Sequence, residues 1–303
     1  MDVGAGVSGT PGPGGEPRLI AVVGATAVGK SDLAVGLAQK HAASGPGAEV
    51  VNADSMQVYR GMDVGTAKLT ESERRGVPHH LLDVWPVTKT ATLAEYQQLA
   101  LDAIDEIQAR GKVPILVGGS GMYVHAVVDR WDIPGTEPDV RAELDADLVR
   151  VGPAVLHDRL AELDPAAAIA ILPTNGRRIV RALEVIAMRG SFSAQLPRFA
   201  PNPDVRLMGL RAPRPVLDER IQERVDRMWQ AGLVDEVRGL ERAGLREGRT
   251  ASRALGYAQV LAFLAGESSE QQAREDTVAA TRRFVRRQES WFGRDPRIEW
   301  QDA

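Results

Sequence analysis

Gly24-Ala25-Thr26-Ala27-Val28-Gly29-Lys30-Ser31 fits the pattern G-x-x-x-x-G-K-[ST] at every position. Each part has a job in holding phosphate. The glycines let the backbone turn so that successive amides point inward, and a helix starting near Lys30 adds the positive end of its dipole. Lys30 supplies a mobile cation, and the Ser31 hydroxyl can ligate a Mg²⁺ ion that bridges phosphate oxygens. The bland alternative is a strand-to-helix turn that happens to hold these residues. An apolar run before it, RLIAVV, and an amphipathic stretch after it, DLAVGLAQKHA, supply the context that a phosphate loop needs. The motif identifies a di- or triphosphate and no more.

A carboxylate stands at the end of a second apolar run, AEVVNAD, which places Asp54 where open α/β sheets bind ligands, beside the phosphate loop. On spacing alone Asp54 reads as a general base, a magnesium ligand or a strand-end cap. VPILVGGS ends without an acid, whereas a nucleotide hydrolase or kinase usually holds its Mg²⁺ with one there. An Asn-Lys-x-Asp base-reading element is also missing, which argues against a nucleotide switch. His79 and His80 come with no metal-ligand spacing and read as structural.

The elements that must position these groups follow from the pattern. RLIAVV, AEVVNAD and VPILVGG are short apolar runs, as buried parallel strands require. Helical patterns alternate with them, one opened by Thr92 and Glu95 at capping-box spacing and closed by Gly111. This alternation predicts an α/β fold, a P-loop core with a parallel sheet. From Trp131 a proline-broken linker leads into several helices between Arg141 and Arg189, with no strand pattern until Val205. Long amphipathic helices then run from Leu217 to Phe292. The expected organisation is a disordered tail (1–17), a core (18–130 and 205–303) and a helical insertion (131–204).

Of 303 residues, 44% are hydrophobic and 26% charged, which suits a globular enzyme and excludes a collagen-like or wholly disordered chain. The absence of cysteine excludes disulfides, thiolate–zinc sites and a thiol nucleophile. No apolar run is long enough to span a membrane, and the start lacks a signal-peptide pattern, so the cytoplasm is expected. A net charge of −4 speaks against a globally basic nucleic-acid coat, though not against a local basic groove. Arginines do cluster, in RRIVR (177–181) and RRFVRR (282–287). Arg177, Arg178 and Arg181 fall within one helical turn and read as a phosphate-binding patch. The second cluster packs like charges at i,i+4, so either RNA or acids of a neighbouring helix should lie opposite.

Three blocks carry a resemblance to a known family: GATAVGKS, the stretch from Asp54 to Lys68 (DSMQVYRGMDVGTAK) and Gly118-Gly119-Ser120-Gly121-Met122-Tyr123. With PDVR (138–141), RRIVRALE (177–184), RIQERVDRM (220–228), RALGY (253–257) and ATRRFVRRQ (280–288), the chain resembles the tRNA dimethylallyltransferases, also called tRNA isopentenyltransferases. The likeness covers nearly the whole chain after the tail. It implies transfer of a dimethylallyl group from dimethylallyl diphosphate to N6 of adenine 37, next to the anticodon, in tRNAs reading codons that begin with U. By the same resemblance Asp54 is the base, while Lys30, the loop amides, Mg²⁺ on Ser31 and Arg224 neutralise the leaving diphosphate. Asp54, Ser55, Met56 and Gln57 would line the pocket for the flipped adenine. Ser120, Arg141, Arg177, Arg178, Arg181, Arg253, Gly256 and Tyr257 would contact the anticodon stem-loop. Ser120 replaces the family's common threonine and keeps its hydroxyl, so by the resemblance it is also expected among the catalytic residues, positioning the adenine or Asp54; Met56 replaces an arginine carried by many relatives. A monomer is expected. The rival readings are a small-molecule kinase using ATP, with Asp54 as base for a hydroxyl, and a non-enzymatic RNA-binding module.

Overall fold

The protein is described by a computed structural model covering residues 18–193 and 199–303. The expected disordered tail (1–17) lies outside the described residues. Two compact units form: the chain up to Arg130 together with Phe199–Ala303, and the segment between them that begins at Trp131.

The larger unit is built on six parallel strands: β1 (Leu19–Gly24), β2 (Ala48–Asn52), β3 (His79–His80), β4 (Val113–Gly118), β5 (Val205–Arg211) and β6 (Glu299–Asp302). Their order across the sheet is β3-β2-β4-β1-β5-β6. Around it run α1 (Lys30–Ser44), α2 (Leu93–Ala109) and α3 (Gly121–Val128). The smaller unit contributes α4 (Pro138–Leu163), α5 (Pro165–Ala170) and α6 (Gly176–Arg189); after it come α7 (Arg214–Gln230), α8 (Leu233–Arg242), α9 (Tyr257–Leu264) and α10 (Glu270–Phe292). β1 is buried along its whole length because strands flank it on both edges and helices cover both faces, which is why its sequence is an unbroken apolar run.

Two strands carry no such run. β3 is a two-residue edge, and β6 reads EWQD, held at the other edge by Arg206–Glu299 (2.8 Å) and Arg211–Asp302 (3.0 Å). The strand beside β1 on the Asp54 side is β4, which fills the gap left by the first crossover between β1 and β2.

Among its described residues the regular elements of the smaller unit are all helices, with a core of their own that includes Leu156, Leu160, Ile179, Val180 and Leu183. Gly152 (φ 81°) and Pro153 break α4 into two segments. The chain rejoins the larger unit at Phe199 instead of Val205: the Phe199 ring packs 4.9 Å from His125, and Asn202 donates to the Val128 carbonyl.

Candidate active site

β1, β2 and β4 end at the same edge of the sheet, and each delivers one part of a site. β1 opens into Gly24–Ser31. Gly29 enters α1 with φ 98° and no side chain caps the helix, so its first amides remain available to an anion. Ala27 holds a left-handed conformation (φ 62°), unusual for a residue with a Cβ and of the kind that accompanies backbone concavities. Lys30 Nζ bends back to the Ala25 carbonyl at 2.7 Å. Burial holds the Lys30 ammonium down to about 8, against the pull of Asp54 and with help from Arg224. Thr26, Gly29, Lys30, Ser31, Asp54 and Arg224 all line one cavity of about 960 Å³.

Asp54 sits two residues beyond β2 in a turn made rigid by side chains. Its amide donates to Asn52 Oδ1 (3.1 Å), and Asn52 Nδ2 donates to the Asp54 and Leu81 carbonyls. Asp54 Oδ1 accepts from the amides of Met56 (2.8 Å) and Gln57 (3.4 Å). One carboxylate oxygen is thus fixed by backbone donors. Asp54 also lines a second cavity, of about 280 Å³, with Ser55, Met56, Ser120, Arg253, Phe284 and Arg287 on its walls. Thr26, Asp54, Thr66, Arg224 and Met228 belong to both cavities. The carboxylate therefore stands at the boundary between a phosphate loop and a second, partly apolar pocket.

β4 brings Ser120 to that boundary, where its hydroxyl accepts from the Ser55 amide and donates to Ser55 Oγ, both at 3.2 Å. From the opposite side α7 presents Arg224, whose Nη2 donates to the Thr66 carbonyl at 2.9 Å. Burial presses this guanidinium below its ordinary value, and Asp54 opposes the shift. The Thr66 carbonyl also accepts from Gln57 Nε2. The loop carrying it is anchored by Glu236 on α8, whose carboxylate accepts the amides of Asp63, Val64 and Gly65 (2.7–3.1 Å) and the Tyr257 hydroxyl (2.5 Å).

Several expected roles change. Tyr257 is fully buried, and a Cβ on Gly65 would lie 2.4 Å from its ring; it supports the Thr66 loop and presents no surface to RNA. Gly256 is buried as well, turning the chain into α9 with φ 86°. Arg181, partly exposed, bonds Glu184 (2.8 Å) and the Pro134 and Gly135 carbonyls. Arg177 and Arg178 are exposed. Arg141 pairs with Asp145 (3.3 Å) and the buried Glu184 (3.4 Å). The Thr26 amide, expected to face phosphate, donates instead to Gln288 Oε1. In the second arginine cluster, Arg282 turns to Asp218 on α7, while Arg283, Arg286 and Arg287 are exposed and Arg287 borders the smaller cavity.

Gln288 and Glu236 had no assigned role from the sequence. A signal for Gln288 was present: it lies on the buried stripe of α10 with Thr277, Thr281, Val285 and Phe292, where a polar side chain must have partners. Glu236 gives no such sign, since α8 bears charges of both signs along its length.

A profile of the IPP transferase family matches residues 57–295. The chain belongs to that family. Relatives named tRNA dimethylallyltransferase include one from Thermobifida fusca, 66% identical over 283 residues that span 93% of this chain and 89% of the relative. Another, from Streptomyces griseus, is 62% identical and covers 95% and 91%. Among solved structures, the tRNA isopentenylpyrophosphate transferase of Bacillus halodurans aligns with a TM-score of 0.69 at 40% identity, covering 95% of this chain and 90% of that one. A eukaryotic dimethylallyltransferase acting on tRNA gives 0.75 at 25% identity, with 95% and 74% covered. The resemblance read from the motifs and the P-loop α/β fold both hold, and the family is one of prenyl-transferring enzymes.

Proposed function

We propose that the protein transfers a dimethylallyl group from dimethylallyl diphosphate to the exocyclic N6 of an adenine in the tRNA anticodon loop, at position 37 of tRNAs reading codons that begin with U. One observation carries the reading: Asp54 is shared by the phosphate-loop cavity and the smaller, partly apolar one. The diphosphate occupies the larger cavity with its allylic carbon toward Asp54, and the extruded adenine enters the smaller. Adenine N6 is a weak nucleophile because its lone pair is delocalised into the ring. It becomes competent as its proton passes to the Asp54 oxygen that the backbone does not hold. The N6–C1 bond forms as the C1–O bond breaks, and the bonding pair leaves with pyrophosphate. Lys30, Arg224 and the amides entering α1 meet that developing charge.

Ser31 presents a hard hydroxyl oxygen to the larger cavity, a donor that suits Mg²⁺, which keeps its waters and binds substrate phosphate in preference to an all-protein cage. Ser31 would hold the ion, which supplies further neutralisation of the diphosphate. Ser55, Met56, Ser120 and Arg253 would line the base pocket, and the exposed Arg177 and Arg178 would meet RNA phosphate. The active form is read as a monomer, acting in the cytoplasm; no described helix is long and apolar enough to cross a membrane. Family membership does not favour the kinase reading.

The test is incubation with an adenine-containing anticodon stem-loop and either dimethylallyl diphosphate or ATP. A mass gain of one dimethylallyl group on the RNA supports the proposal. ATP consumption without prenylated RNA, or tight binding with no product from either donor, contradicts it.

A further inference from the structure

Gln288 is almost fully buried, and its carboxamide joins the two sides of the site. Oε1 accepts the Thr26 amide of the phosphate loop at 2.9 Å, and Nε2 donates to the Gly119 carbonyl, one residue before Ser120, at 2.9 Å. The fit is tight: a Cβ on Gly119 would lie 2.3 Å from Gln288 Nε2. The same helix, α10, lines the smaller cavity with Phe284 and Arg287, and Arg287 stacks 5.6 Å over the Phe284 ring. Arg287 and Phe284 precede Gln288 by one and four residues, so one turn of helix carries both the acceptor-side wall and the bracket on the phosphate loop.

We propose that Gln288 is a positioning residue that couples the two cavities, so that an anion on the phosphate loop and RNA in the acceptor pocket each tighten the binding of the other. The inference rests on the functional reading above. Gln288 already holds the Thr26 and Gly119 peptides in place, so a ligand pressing on Phe284 and Arg287 bears on both peptides through this one side chain. Any shift of α10 that improves one ligand's fit is passed to the other ligand's wall, and linkage makes the effect reciprocal. Buried carboxamide bonds suit this role because both partners are backbone groups that cannot relax to water once the bracket is lost.

The experiment measures four affinities on the intact protein: pyrophosphate alone, anticodon stem-loop RNA alone, and each in the presence of the other. In the wild type, saturating pyrophosphate should tighten RNA binding by about tenfold, within the usual range of coupling between sites. Gln288→Met keeps the volume and removes both bonds; it should bind each ligand singly while the ratio falls to within about twofold of unity. Gly119→Ala breaks the bracket from the other side and serves if Gln288→Met fails to fold. A merely structural role would lower thermal stability and leave the ratio intact. Wild-type coupling retained in both variants, or no coupling in the wild type, overturns the proposal. Failure of the wild type to bind RNA at all would instead remove the functional reading, and the inference with it.

Discussion

Asp54 Oδ1 accepts the backbone amide of Met56 at 2.8 Å, which orients the carboxylate by main chain alone. Asparagine can accept the same bond through its own oxygen, so Asp54→Asn should preserve the turn and remove only the proton acceptor. We expect kcat to fall by about 10²- to 10⁴-fold, the usual worth of a general base, with RNA affinity and thermal midpoint almost unchanged. Steady-state turnover beside a melting curve checks this. Undiminished kcat in Asp54→Asn would remove the base assignment.

Lys30 gives the site a pH limit. Burial holds its ammonium near 8 in the free protein, so the charged form is complete below that pH and is depleted as pH rises through it. A bound anion favours the ammonium, so the complex must titrate higher than the free protein. The gap in pyrophosphate affinity between the wild type and Lys30→Met, measured by calorimetry at each pH so that the anion's own titration cancels, should therefore be widest below about pH 7 and narrow above about pH 8. A gap that stays constant across that range would mean Lys30 is not a charge partner of the anion.

Tyr257→Phe separates support from RNA contact. The variant loses the 2.5 Å bond to Glu236, a partly buried pair, and should cost about 1–3 kcal/mol of stability. Because Glu236 holds the loop whose Thr66 carbonyl receives Arg224, KM for dimethylallyl diphosphate should rise while RNA affinity stays constant. Filter binding of RNA and initial-rate kinetics on one preparation distinguish the two. A drop in RNA affinity with KM unmoved would restore Tyr257 as a contact residue.

Glu49 sets a floor for acid stability away from the site. Burial works against its charge, but Lys112, His80 and Arg110 bring the carboxyl down to about 2 from an ordinary value of 4.5. Its folded pKa is depressed, so the stabilisation is complete above about pH 4.5 and is lost as pH falls toward about 2. The stability gap between wild type and Glu49→Gln should therefore be widest near neutrality and close in acid. Denaturant titrations at several pH values measure it.

What was legible in the sequence was what local chemistry fixes. GATAVGKS announced its loop because the glycines, the lysine and the flanking apolar run are all contiguous. β1, β2 and β4 were readable because strands covered on both faces must be apolar throughout. β6 was not, since an edge strand pinned by Arg206 and Arg211 needs no apolar run. Neither was the place of β4 between β1 and β2, which depends on how the sheet is wound. The roles of Gln288 and Glu236 come from backbone partners more than 160 residues away in sequence, as with Thr26 and Val64, and no local pattern records such pairings. Tyr257 misled for the same reason: its type suits RNA, and only its tertiary partners show that it is buried and already engaged.

The most direct test of the central claim is a crystal structure with pyrophosphate and an adenine-containing anticodon stem-loop bound together. The account requires the anion on the Thr26–Ser31 loop, the adenine N6 within hydrogen-bond reach of the Asp54 oxygen that Met56 does not hold, and a clear path between N6 and the anion. An adenine seated elsewhere, or an Asp54 carboxylate turned away from it in the complex, would contradict it.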